Sequence, residues 1–192
     1  MNRLVFSLML MCLLVGSVAT AQDQDMAAMM EAMEKAAMVG EQHEWLAGMT
    51  GSYKVEMKMW MGPGEPSVYW GKSERSMMLG GRVLVESYTS EFMGQEFQGY
   101  GMTGYDNVKG EYWATWNDTM STYVSVMRGE CNDAGDTCTF LGTTNDPMTG
   151  AAMEMKMVNH FHDDGTEVID AFMVMPDGSE MKNMELTYTP VK

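Results

Sequence analysis

Thioether side chains are the groups in this chain whose spacing most directly suggests chemistry. Met26, Met29, Met30 and Met33 recur at helical spacing. Methionine sulfur is a soft ligand that selects Cu(I), and its oxidation to the sulfoxide is reversible. A methionine-rich protein that binds copper or buffers oxidants is therefore one hypothesis for the function.

A pair of imidazoles offers a second possible site. His160 and His162 are separated by one residue, so on a β-strand they lie on one face and could hold a metal ion. They alternate with Met157 and Phe161, however, which places them on the solvent side of that strand. We predict no metal site and no cofactor.

No arrangement of residues typical of an enzyme is present. The sequence has no G-x-S-x-G, H-E-x-x-H or P-loop motif. The glycine-rich run at 99–104 falls within a predicted strand that no helix follows, so it lacks the free amides of a phosphate site. We predict a protein without catalytic residues.

In several segments of the chain methionine also falls at every second position, which indicates strands with one apolar face. Met57, Met59 and Met61 alternate with Lys58 and Trp60, and Met173 with Met175 repeats the pattern. These faces would line a cavity for a small apolar molecule, or their methionines would simply fill the interior. The side chains predicted to line the cavity are Tyr53, Met57, Met59, Met155, Met157, Phe161, Met184 and Tyr188.

Ten strands separated by turn signals follow two short helical segments, 26–37 and 41–47. Gly40 is expected to end the first segment, and His43 in the second is expected to be structural. The fold class is all-β, an antiparallel up-and-down barrel of about ten strands with a short N-terminal helical segment. The strands are predicted near 52–61, 67–78, 82–91, 95–104, 110–117, 120–129, 137–144, 151–161, 166–175 and 180–189.

The N-terminal residues resemble a secretory leader. Arg3 precedes an apolar run at 4–18, and Ala19-Thr20-Ala21 has the form of a signal-peptidase site. We predict a signal peptide at 1–21, a methionine-rich helix at 22–40 and a barrel domain at 41–192. The protein is then exported to the periplasm or secreted, and it does not insert in the membrane after cleavage.

The charge of the chain limits its partners. Twelve Lys and Arg residues face 27 Asp and Glu residues, for a net charge of −15. Such a chain is poorly suited to nucleic acid or to anionic membrane surfaces. A small apolar molecule is the expected partner, and the oligomeric state stays open.

Two cysteines remain beyond the leader. Cys131 and Cys138 flank a turn-rich stretch, and in an exported protein such a pair typically forms a disulfide across a hairpin. A metal-binding cysteine pair is the alternative, although no further cysteine is present to complete a thiolate site.

Several motifs resemble one bacterial family. His43-Glu44-Trp45-Leu46, Gly104-Tyr105-Asp106-Asn107 and Trp116-Asn117-Asp118 are similar to motifs of the family catalogued as domain of unknown function 1579. The resemblance extends over about 41–189. It implies a lipocalin-like barrel and supplies no known catalytic residues.

The signature itself suggests a structural role. Asp106 and Asn107 are typical turn residues, and a hairpin would bring Trp116 back toward Gly99 and Gly101. We interpret the signature as a folding device in preference to a ligand site. Its members are Gly104, Tyr105, Asp106, Asn107, Trp116 and Asp118.

Overall fold

The computed structural model describes residues 24–146 and 148–192. The predicted signal peptide at 1–21 and Pro147 lie outside the described residues. The chain divides into two units, one ending at Met38 and the other running from Val39 to Lys192. In the first unit residues 24–37 form helix α1, where Glu31 and Lys35 form an ion pair of 2.8 Å.

The second unit opens with helix α2, Glu41–Ala47. Gly40 does not end α1, as the sequence suggested, because that helix stops at residue 37. Gly40 is instead the extended N-cap of α2, and its N–H donates to Nδ1 of His43 at 3.3 Å. His43 thus satisfies an amide that the helix leaves free, which agrees with the structural role expected for it.

Ten antiparallel strands form a closed barrel in which each strand pairs with its sequence neighbour and β10 returns to β1. This confirms the predicted fold class. The strands are β1 Gly51–Met59, β2 Ser67–Met78, β3 Val83–Phe92, β4 Gln95–Asp106, β5 Glu111–Asp118, β6 Ser125–Cys131, β7 Thr137–Asn145, β8 Ala152–Phe161, β9 Glu167–Val174 and β10 Glu180–Pro190.

Some strand ends were predicted wrongly. The connection between β5 and β6 includes 120–124, which the sequence pattern had assigned to a strand. Met61 and Met175 lie beyond the ends of β1 and β9 and are 72% and 43% exposed, so neither belongs to an inward face. Alternation alone does not show where pairing stops, because turns also contain apolar residues.

Helix α2 packs against one end of the barrel, here called the closed end. Leu46 is 1% exposed and packs with Leu84, Tyr112 and Phe140. Trp45 adds an edge contact to a further ring at this end, Phe161, at 5.0 Å between centroids. The other end, where β1 leads into β2 and β3 into β4, is called the mouth.

Cys131 and Cys138 form a disulfide, as predicted. The two residues are directly opposite each other on β6 and β7, so the bond clamps one hairpin at the closed end. No helix among the described residues is long and apolar enough to cross a membrane.

Candidate functional site

The barrel encloses a cavity of about 570 Å³ between the closed end and the mouth. Its wall follows the inward positions of the strands, as period-two alternation requires. Of the side chains predicted to line a cavity, the structure places these on its wall: Met57, Met59, Met155, Met157, Phe161, Met184 and Tyr188. Tyr53 also points inward and is 8% exposed, but it lies in the packed core beside the cavity.

Apolar side chains make up most of this wall. Methionine contributes the largest group, and its flexible thioether adapts to ligands of different shape. The methionines on the wall are Met49, Met57, Met59, Met120, Met127, Met155, Met157 and Met184. Toward the mouth, Phe92 and Phe97 have ring centroids 6.3 Å apart, and Tyr69 packs on Phe92 at 4.8 Å.

Trp116 forms part of the wall and depends on two glycines of β4. It lies opposite Gly101, and its ring covers Gly99 as well. A Cβ on Gly99 would overlap the indole, and one on Gly101 would lie 3.2 Å from it. The indole Nε1 donates to Oδ2 of Asp118 at 3.0 Å. Trp116 is therefore both a packing element and a cavity residue.

The other signature residues lie at the closed end. Tyr105 packs edge-on against Tyr112 at 4.9 Å and against His43 at 6.1 Å. The Asp106 carboxylate accepts hydrogen bonds from two backbone amides of the following turn, at 2.9 and 3.2 Å. The left-handed residue of that turn is Gly110. Gly104 leaves room for the ring of Trp113 on the outer face, a contact that we did not anticipate.

A buried polar cluster on the cavity wall was missed by the sequence reasoning. Nη1 of Arg75 donates to Oε2 of Glu167 at 2.6 Å, and Nη2 lies 3.5 Å from Oε2 of Glu86. Ser73 donates to the other oxygen of Glu86 at 2.7 Å, and Asn159 donates to Glu167 at 2.8 Å. The cluster therefore joins β2, β3, β8 and β9 through the barrel interior.

Two tyrosine rings hold the guanidinium of Arg75 in place. Its central carbon lies 5.0 Å from the ring of Tyr53 and 4.3 Å from that of Tyr188. Burial lowers the pKa of Arg75, but Glu167 and Glu86 outweigh it, so the pKa is raised and the group stays charged. Burial raises the pKa of Tyr188 well above its usual value, so this phenol stays neutral.

Two polar atoms of the cluster lack a hydrogen-bond partner. Within the part of the chain that the structure describes, these buried atoms are Nε of Arg75 and Oδ1 of Asn159. One is a donor and the other an acceptor. Both side chains belong to the cavity wall.

The sequence contained a signal for this cluster. On β2, Arg75 and Ser73 both occupy inward-facing positions. On β3, Glu86 and Tyr88 do the same, and on β9 Glu167 occupies the first inward-facing position. A charged residue at an inward position of a predicted strand is rare unless it is paired. Three such positions on separate strands could have suggested a buried ionic group.

The two histidines considered for a metal site lie on β8 and just beyond it. Asn159 is on the cavity wall, so His160 faces outward from β8, and His162 lies in the exposed turn that follows. Among the described residues no group of three or more His, Cys, Asp or Glu side chains could hold a metal ion.

Comparisons with known proteins identify a family and a fold. The family model described as "Protein of unknown function (DUF1579)" matches residues 38–190. No curated protein matches the sequence significantly. The crystal structure of Rv2717c from M. tuberculosis is similar with a TM-score of 0.57 and 9% identity, over 81% of this chain and 100% of that chain. At that identity the likeness concerns the fold alone.

Proposed function

The chain belongs to the family of proteins of unknown function DUF1579, and we propose that this member is an exported, lipocalin-like carrier that binds one small apolar molecule inside its barrel. The observation that carries the proposal is the cavity of about 570 Å³ enclosed by the strands. Ligand pockets commonly measure about 300–1,000 Å³ and have mostly apolar walls.

The chemistry of the wall supports binding without a reaction. Apolar surface that leaves water contributes roughly 25 cal/mol per Å², and the thioethers of Met57, Met155 and Met157 can adjust to the shape of the ligand. Because Arg75 and Glu167 are paired with each other, neither is free to act as a general acid or base. We therefore assign no enzymatic activity to the site.

The disulfide supports the proposed location. Structural disulfides persist in oxidising compartments and are rare in the cytosol. The bond between Cys131 and Cys138 therefore agrees with export to the periplasm or the cell exterior. Net charge −15 keeps such a carrier soluble and away from anionic surfaces.

Filling the cavity tests the proposal. Ala114 is on the cavity wall, so Ala114→Trp should remove the space for a neutral fluorescent probe such as N-phenyl-1-naphthylamine. The matched control is Val126→Trp, which adds a similar bulk on the neighbouring strand at a position 45% exposed. We expect probe fluorescence to rise with the parent and the control and to stay flat with Ala114→Trp. Equal probe binding by both variants would reject the cavity as the binding site.

A second function, copper binding or oxidant buffering, is favoured by one observation. Met26, Met29, Met30 and Met33 of α1 are each more than half exposed, so burial does not explain their helical spacing. Exposed thioethers are open to oxidation and to soft metal ions. Replacing all four with leucine should abolish Cu(I) uptake under this alternative and leave it unchanged under the carrier proposal.

A further inference from the structure

We propose that the ligand of this barrel is an amphiphile whose polar end donates hydrogen bonds and carries no negative charge, and that Glu86 receives this end. The inference rests on the carrier function proposed above and adds the chemical class of the ligand. Long-chain amines and alcohols belong to the class, whereas fatty acid anions do not.

The charges on the cavity wall exclude an anionic head group. Among the described wall residues Arg75 is the one cation, and three carboxylates share the wall with it, Glu86, Asp118 and Glu167. Like charges repel strongly in a poorly solvated interior. A ligand carboxylate would add a further negative charge to a wall that already has an excess of them.

Arg75 is not available to neutralise an incoming anion. Its guanidinium is bonded to Glu167 at 2.6 Å and lies between the rings of Tyr53 and Tyr188. The side chain is 5% exposed. Turning it toward a ligand would break a buried ion pair and leave Glu167 without its counter-charge, which is costly.

Glu86 is the member of the cluster that a ligand can reach. Its side chain is 16% exposed, compared with 5% for Arg75 and 6% for Glu167. One carboxylate oxygen accepts from Ser73, the other lies 3.5 Å from Nη2 of Arg75, and the phenol of Tyr188 also hydrogen-bonds to this carboxylate. A carboxylate offers about four acceptor positions, so the exposed part of Glu86 can still accept a hydrogen bond from an ammonium or a hydroxyl group.

The surroundings of Glu86 suit such a head group. Glu86 lies opposite Gly101, and Gly101 lies opposite Trp116, whose indole covers the glycine, so the carboxylate and the indole are neighbours on the cavity wall. A donor group in the cavity beside them would meet both the carboxylate and the aromatic ring, and an ammonium is attracted by both. The ligand's apolar part would then extend along Met157 and Met184 toward the mouth.

A matched series of ligands tests this inference. Dodecylamine, dodecanol and dodecanoate share one chain and differ in the head group, and each would compete with bound N-phenyl-1-naphthylamine at neutral pH, below its aggregation concentration. We expect the amine and the alcohol to displace the probe at concentrations at least about tenfold lower than dodecanoate, a difference of about 1.4 kcal/mol. Displacement by dodecanoate at an equal or lower concentration would overturn the inference.

The variant Glu86→Gln assigns the effect to one residue. It keeps the size of the side chain and leaves the pair of Arg75 with Glu167 intact. The ratio of the concentrations at which dodecanoate and dodecylamine displace the probe, here called the gap, should therefore narrow by about tenfold. Glu91→Gln is the control, because Glu91 is an exposed carboxylate on the same strand, and it should leave the gap unchanged. If both variants narrow the gap equally, the amine is attracted by the acidic exterior, and the assignment to Glu86 is wrong.

Failure of the carrier function itself has a separate signature. In that case the parent protein does not bind the probe and none of the three ligands has any effect. Should Glu86→Gln fail to fold, the order of the three ligands on the parent protein still decides the class of head group.

Discussion

Arg75 of β2 and Glu167 of β9 form a buried ion pair of 2.6 Å although β1 and β10 lie between their strands. The arginine reaches Glu167 across the rings of Tyr53 on β1 and Tyr188 on β10. The contact therefore exists only when the barrel is closed and these four strands are in register. It links the closure of the fold to the electrostatics of the cavity.

Removing the cation should destabilise the barrel strongly. Arg75→Met leaves the buried Glu167 and the partly buried Glu86 without a counter-charge, and we expect a loss of about 3–5 kcal/mol in the free energy of unfolding. Arg128→Met is the control, since Arg128 is 47% exposed in its ion pair with Glu111, and it should cost at most about 1 kcal/mol. Urea denaturation measures both. Similar losses would show that the buried pair has no special role in stability.

Gly99 and Trp116 should be energetically coupled. Gly99→Ala forces a Cβ into the indole and should cost about 1–3 kcal/mol, whereas Gly62→Ala, where nothing lies within 4 Å, should be nearly neutral. In a Trp116→Ala background the Gly99→Ala change should become mild, giving a coupling energy of at least about 1 kcal/mol. Additive losses would contradict the packing described for this pair. Because Trp116 also lines the cavity, Trp116→Ala should weaken probe binding too.

The mature protein should contain no free thiol. Cys131 and Cys138 are bonded, so thiol labelling of unreduced, denatured protein should give no signal. Reduction should lower the free energy of unfolding by about 2.5 kcal/mol on the chain-entropy model. Two labelled cysteines in the unreduced protein would rule out the disulfide under native conditions.

Stability should fall in mildly acidic solution because of His43. Burial, and then the charge of Arg82, lower the pKa of His43 below its ordinary value of 6.5. At pH values below 6.5 the imidazole of the unfolded chain therefore binds a proton more readily than that of the folded chain, and the free energy of unfolding decreases as the pH falls. The contribution is fully present above pH 6.5.

The variant His43→Gln separates this effect from that of the carboxylates. It should flatten the stability profile between about pH 7 and pH 5. Hydrogen bonds lower the pKa of Asp136 and Asp177 below 3.8, so their contribution disappears only in more acidic solution and should persist in the variant. An unchanged slope in the His43→Gln protein would mean that another group titrates in this range.

The architecture could be predicted from the sequence because alternation is a local signal. The period of two within each strand identifies its inward-facing residues, such as Met155 and Met157 on β8, and turn residues separate one strand from the next. Closure of the barrel followed from the sequential strands, which otherwise leave exposed edges.

The polar part of the site could not be predicted in the same way. The inward positions of Arg75, Glu86 and Glu167 can be read from the sequence, but their meeting depends on the register of strands far apart in the chain. A period-two pattern within each strand does not determine that register across several strands. Trp116 could be matched with Gly99 and Gly101 because they lie on the adjacent strand of a hairpin. The partner of Arg75 could not be identified, because it lies on a strand far away in the chain.

Native mass spectrometry of the protein purified from the cells that naturally make it tests the carrier function most directly. We expect the parent protein to retain one small organic molecule, released on denaturation, with an apolar body and a polar end that is not anionic. The Ala114→Trp variant should lack it, and Val126→Trp should keep it. A parent protein that carries nothing, or that carries copper in place of an organic molecule, would contradict the proposal that the barrel is a carrier of apolar molecules.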